Sequence, residues 1–209
     1  MPAVEIASFT ATKAFLSDVS TAVFDKAIDA VKEIDGCSSV YRGFQHDDKT
    51  RAYVLIVWGS YETYVNATKS EGLSVLKVES NKLGLSFDDI SIQLVALDDD
   101  PSPLLDAPLT DLWFSQPKLG HTDADLSSFI WSFVAQVNND EYTDLQFADL
   151  PVWAFAVNKQ NIGLNVYFGG WKGIEARKIL FNNISYANFL KGVYEFSSFN
   201  IKGLFLTKA

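Results

Sequence analysis

Residues able to do chemistry are sparse in this chain, and most lie inside apolar strand-like runs. Glu5 stands between Val4 and Ile6. A carboxylate buried there has a raised pKa and accepts protons near neutrality. Tyr53 shares a strand face with Leu55 and Val57, while Trp58 lies on the other face. Asn165 interrupts Leu164 and Val166, and Tyr167 shares its parity; a polar side chain so placed is either hydrogen-bonded in the core or faces a cavity. The candidate catalytic residues are therefore Glu5, Tyr53 and Asn165. Trp58, Gln93 and Tyr167 are the candidate substrate-binding residues. Competing readings are a solvent-facing edge position for Glu5 and plain core packing for the aromatics.

Other chemistries lack their residues. There are two histidines, His46 in a polar turn and His121 ahead of a helical stretch, and one cysteine, Cys37. A metal site takes three or more converging ligands, so no metal is expected. A nucleophile–histidine arrangement needs a histidine buried beside the nucleophile, and neither loop favours that. Gly169-Gly170-Trp171-Lys172-Gly173 lacks the glycine spacing and the terminal Lys-Ser/Thr of a phosphate loop. With no dinucleotide fingerprint either, no cofactor is expected.

The elements that must position these residues come in one order, twice. A strand over Val4 to Thr12 precedes a helical stripe of Val19, Val23, Ala27, Ala30, Val31 and Ile34, with Gly36 as its C-cap. Strands Val40 to Gln45 and Ala52 to Trp58 flank a hairpin turn at 46–50, helix follows over Ser60 to Leu83, and Ile90 to Leu97 closes the half. An Asp- and Pro-rich linker, 98–108, follows. The order then restarts: strand Asp111 to Lys118, a helical stripe of Leu126, Phe129, Ile130, Phe133, Val134 and Val137, strands Val152 to Asn158 and Gly163 to Phe168, helix over Gly170 to Lys191, and strand Ile201 to Leu206. Trp58-Gly59-Ser60-Tyr61 matches Phe168-Gly169-Gly170-Trp171, and Ser86-Phe87-Asp88 matches Ser198-Phe199-Asn200. The expected units are 1–97 and a diverged copy at 109–209.

A βαββαβ unit makes a four-stranded antiparallel sheet with both helices on one face. The run Tyr53 to Trp58 is apolar at both parities, so its second face must also be covered. The expected fold is α+β, two ferredoxin-like repeats packed sheet to sheet so that one chain imitates a dimer.

The element order, Glu5 in Val4-Glu5-Ile6, the strand Tyr41-Arg42-Gly43-Phe44-Gln45 and the strand ending in Trp58-Gly59-Ser60 resemble the dimeric α+β barrel superfamily. The nearest branch is the antibiotic biosynthesis monooxygenase domain in its tandem fungal form. That resemblance implies a pocket within each repeat, between sheet and helices, for small apolar or aromatic molecules. It also implies activities such as cofactor-independent oxygenation, cyclisation or isomerisation in secondary metabolism. Haem-degrading relatives use a strand asparagine, a tryptophan and a helix histidine. Trp58 fits the second, but Ser60 to Leu83 holds no histidine and the first strand no asparagine.

Composition sets the outer bounds. Of 209 residues, 48% are hydrophobic, enough for a sizeable core, and the net charge of −9 disfavours nucleic acid and anionic membrane as partners. No signal-like start and no apolar run of about 18 residues is present, so a cytoplasmic protein is expected. It would be a monomer with an internal pseudo-dimer, or a weak homodimer. The expected function is processing of a small hydrophobic or aromatic metabolite, the first repeat being the better candidate; the alternative is a non-catalytic ligand-binding or stress-related barrel.

Overall fold

The computed structural model describes residues 1–17, 22–69, 81, 86–139, 153–158 and 164–209. In the first half, β1 (Ala3–Thr10) leads through α1 (Lys13–Ser17) and α2 (Ala22–Lys32) to the hairpin β2 (Cys37–Gln45) and β3 (Arg51–Trp58). Next come α3 (Tyr61–Ala67), a 3₁₀ turn and β4 (Ser91–Leu97). The short helix α4 (Ser102–Leu105) joins this to β5 (Leu109–Pro117), α5 (Asp123–Asn139), β6 (Trp153–Asn158), β7 (Asn165–Trp171), α6 (Ile174–Phe181), α7 (Ile184–Phe196) and β8 (Ser197–Lys208).

The strands pair antiparallel in the order β1-β3-β2-β8-β5-β7-β6-β4, and β4 returns to β1 to close an eight-stranded barrel. Each half supplies four adjacent strands, and β2–β8 and β4–β6 stitch the halves together. Closure leaves no sheet edge exposed. Alternation then decides what each side chain meets. Val4, Ile6, Tyr41, Tyr53, Leu55, Val57, Leu112, Phe168 and Leu204 point inward and form one apolar cluster shared by both halves. Ala3, Val54, Ile56 and Trp58 point outward against α2 and α3. Trp113, Tyr167 and Trp171 point outward against α5 and α7. This two-sided demand explains why β3 is apolar at both parities.

Several boundaries differ from the sequence reading. Strand β7 runs on through Gly169, Gly170 and Trp171, past the expected strand end at Phe168 and the expected helix start at Gly170, because these residues pair with Asp111, Thr110 and Leu109. β8 starts at Ser197 and is the longest strand, since it pairs with both β5 and β2. The Asp/Pro segment is more than a spacer: Leu104 and Leu105 are buried in the shared barrel cluster, and Tyr41 Oη donates to Asp106 Oδ1 at 2.9 Å. Gly36 has φ +85°, and a Cβ there would lie 2.6 Å from the Thr63 side chain. Glycine thus lets the α2–β2 turn approach α3. The expected helical material beyond Lys69 apart from residue 81, the whole turn at 159–161, Val19 and Val152 lie outside the described residues.

Two caps illustrate local causes. Ser60 and Thr63 form a capping box that starts α3, each side chain bonding the other's backbone N–H. Thr122 Oγ1 accepts from Asp125 N while Asp125 Oδ2 accepts from Thr122 N, starting α5 in the same way. Along α5, α6 and α7 the aromatics stack, Phe133 on Phe189 at 3.9 Å and Phe181 on Tyr186 at 4.5 Å. Such pairs add about 0.5–1.5 kcal/mol beyond area burial.

Candidate functional site

Strand register shows that the two repeats carry the same acid–tryptophan arrangement. Ala3 faces Trp58 and Glu5 faces Ile56; Leu109 faces Trp171 and Asp111 faces Gly169. On the other side Glu5 faces Leu94 and Asp111 faces Gly203. Glu5 and Asp111 are thus equivalent, as are Trp58 and Trp171. All four point toward the helices of their own repeat. The sequence match of Trp58 to Phe168 is three residues out of register, because Trp171 stands opposite Leu109 as Trp58 stands opposite Ala3. The pairing of Phe87 with Phe199 fails likewise: Leu94 corresponds to Gly203, which places Phe87 opposite Phe196 in the alignment.

The equivalent acids meet different surroundings. Glu5 is 5% exposed. Burial pushes its carboxyl up to about 7, and the nearby Trp58 indole pulls it back only in part. Neither Glu5 Oε2 nor Trp58 Nε1 has a hydrogen-bond partner of proper geometry among the described residues. Tyr64, the fourth residue of α3, packs edge-on to Trp58 with ring centroids 6.0 Å apart. Cys37 faces Trp58 from β2. Burial raises its thiol to about 11, with Lys32 opposing and Glu5 adding to the rise, so it is no thiolate nucleophile.

In the second repeat Asp111 is fully buried and occupied. Trp171 Nε1 donates to Asp111 Oδ2 at 2.9 Å and Arg177 Nε donates to the same oxygen at 2.8 Å. Burial pushes this carboxyl up, and the Arg177 guanidinium leads the groups that pull it down. Arg177, the fourth residue of α6, occupies the helix position that Tyr64 holds in the first repeat. Its guanidinium carbon lies 4.2 Å from the Phe181 ring centroid, a cation–π geometry. Room for it comes from Gly203, where a Cβ would sit 3.1 Å from Asp111 Oδ1 and 3.6 Å from Arg177.

The other expected site residues go elsewhere. Tyr53 points into the barrel, where its hydroxyl donates to Gln45 Oε1 at 3.4 Å; burial raises its pKa. Gln93 shares the inward parity of Val95 and Leu97, with Oε1 buried and unpartnered among the described residues. Asn165 faces the second repeat's helices, and its Nδ2 donates to Asp123 Oδ1 at 2.7 Å. Tyr167 lies on that same face, its pKa raised by burial and then by Asp123. Of the six, the structure brings Glu5 and Trp58 together on one face of the first repeat, and Asn165 and Tyr167 together beside Asp123 in the second. The Asp111–Arg177–Trp171 group was missed. Its signal is the matched triplets Val4-Glu5-Ile6 and Thr110-Asp111-Leu112, each ahead of a strand that ends in tryptophan.

A surface cleft of about 540 Å³ lies outside the Glu5 site, lined by Ala30, Glu33, Ile34, Asp35, Thr63 and Ala67, among others. Glu5 does not line it. Its inner wall includes Ile34 and Ala67, which belong to the same apolar cluster as Trp58. Among the described residues no three His, Cys, Asp or Glu side chains gather to hold a metal ion, and no helix is long and apolar enough to cross a membrane.

No protein-family model matches this chain, and no curated protein matches it in sequence. Solved structures do. A candidate monooxygenase from Fusobacterium nucleatum superposes with TM-score 0.69 at 10% identity, covering 99% of this chain and 93% of that one. A candidate monooxygenase from Lactobacillus acidophilus gives 0.62 at 12% identity over 100% and 95% of the two chains. An anthrone oxidase-like protein gives 0.55 at 13% identity over 99% and 91%. The chain has the tandem α+β barrel fold of these monooxygenase-like proteins.

Proposed function

We propose that the chain processes a small hydrophobic or aromatic molecule as a cofactor-independent monooxygenase-like protein, and that the first repeat is the working site. One observation carries the reading: a buried carboxylate, held near neutral pKa, lies beside the Trp58 indole, and its Oε2 takes no hydrogen bond of proper geometry among the described residues. A group poised near ambient pH is suited to general-base work. Glu5 takes a proton from an activated C–H or O–H of the ligand. Trp58 and Tyr64 supply flat apolar surface, and Trp58 Nε1 donates to a ligand oxygen. For a methylene held between two rings that a carbonyl also joins, as in anthrone, reaction with dioxygen then converts the CH2 to a ketone and releases one water. Neighbours named as monooxygenases and anthrone oxidase-like support this class over cyclisation or isomerisation. Tyr53, Gln93, Asn165 and Tyr167 shape the scaffold in this reading rather than touch the ligand.

The test is turnover of anthrone under air, followed by oxygen uptake and product mass, for the wild type and Glu5→Gln. The wild type exceeds buffer, and Glu5→Gln loses at least about 100-fold, the usual scale of a general base. Equal rates overturn the role of Glu5. Anthrone bound but never transformed by either protein replaces the enzyme reading with simple ligand binding.

A further inference from the structure

The second repeat holds a receptor for a cation, built on Asp111 Oδ2, whose occupant is the chain's own side chain; Asp111 Oδ1 takes no hydrogen bond of proper geometry among the described residues. Asp111 presents a carboxylate with no exposure, Trp171 fixes it through its indole, and Arg177 docks by its Nε at 2.8 Å beneath the Phe181 ring. The glycine at 203 leaves the space that Leu94 fills in the first repeat. The Arg177 side chain is still 17% exposed, so this receptor reaches the surface and a small molecule could follow the same path once the side chain is gone.

We infer that Arg177 is a built-in ligand: the second repeat is a self-occupied guanidinium site, closed to external molecules, whereas among the described residues no cation pairs with the equivalent Glu5 of the first repeat. The inference concerns Asp111, Trp171 and Arg177 only, and stands whether or not Glu5 acts as a base. Truncating Arg177 converts the second repeat into a receptor for a small guanidinium compound. Neutral molecules of the same shape are not accepted, because the buried carboxylate would stay unpaired.

The experiment is chemical rescue of Arg177→Ala by ethylguanidinium against ethylurea, both at millimolar concentration, read by thermal unfolding. Arg177→Ala lowers Tm, ethylguanidinium recovers at least half of the loss, and ethylurea recovers none. Wild type and the double variant Arg177→Ala with Asp111→Asn gain nothing from either compound. If Arg177→Ala is isolated unfolded, refolding yield with the two compounds gives the same comparison. Equal rescue by both compounds, rescue of the double variant, or no rescue at all overturns the inference.

Discussion

Two carboxylates occupy the same place in the two halves of this barrel and live in opposite states. Asp111 is buried with a guanidinium and an indole donating to it, as an ion pair requires. Glu5 is buried with no cation paired to it among the described residues and with Oε2 taking no hydrogen bond of proper geometry, and burial raises its proton affinity. The difference traces to a few substitutions between repeats: Tyr64 against Arg177 on the helix, and Ile56 and Leu94 against Gly169 and Gly203 on the flanking strands. A buried charge must be paired or neutralised. One repeat adopted each solution. Pairing makes a structural strut, and neutralisation leaves a group that can exchange protons.

The sharpest way to break this comparison is to remove the cation. Arg177→Met leaves Asp111 buried and unpaired, which costs about 3–5 kcal/mol, or a Tm fall near 10 °C at about 2–4 °C per kcal/mol for a chain of this size. Thermal and urea unfolding measure it. If Arg177→Met unfolds like wild type, the pair is no strut.

The next effect is a pH dependence, and its sign follows from linkage. Glu5 goes from about 7 in the folded chain to an ordinary carboxyl value of 4.5 when unfolded, so between these values the native state holds a proton the unfolded state has released. Stability from this group is complete below about pH 4.5 and is lost as pH rises through about 7, by about 3 kcal/mol. Glu5→Gln cannot lose it. The variant therefore gains on wild type by about that amount between pH 4.5 and pH 8, as urea unfolding at the two pH values reads. A constant difference across the range contradicts the buried neutral acid.

Gly203→Ala sharpens the comparison by filling the space that Leu94 fills in the other repeat. Its Cβ would press on Asp111 Oδ1 at 3.1 Å, an overpacking cost of about 1–3 kcal/mol. The matched Leu94→Gly change in the first repeat opens space without supplying a cation and leaves the Glu5 titration raised. Smallest is Tyr41→Phe, which deletes one hydrogen bond to the exposed Asp106 and costs about 1 kcal/mol. The linker is worth little more than its buried leucines if that value is zero.

Element order and two-sided burial were legible in the residues, because a strand apolar at both parities admits no half-solvated sheet. The barrel's inner and outer faces followed from alternation, so Glu5 and Trp58 could be placed on a common face once the strands were paired. The site beyond that pair was less legible. Asp111 looked like the first residue of its strand, a solvent-tolerant position, while pairing begins at Leu109 and buries it. Arg177 sits in Glu175-Ala176-Arg177-Lys178, which reads as a solvated helix face; only the glycines opposite show that it turns inward. Tyr53 and Asn165 satisfied the same local pattern as Glu5, yet one faces the barrel interior and the other faces the helices of the second repeat. Parity assigns a face of the sheet but not which of two copies owns it.

The most direct measurement is a ¹³C NMR titration of side-chain carboxyls in the wild type, with Glu5→Gln to assign the signal. A glutamate carboxyl with a midpoint near 7 that vanishes in Glu5→Gln, and persists in Arg177→Lys, is the predicted result. A Glu5 midpoint near 4.5 would show a solvated or paired carboxylate, and the contrast between the two repeats would fall with it.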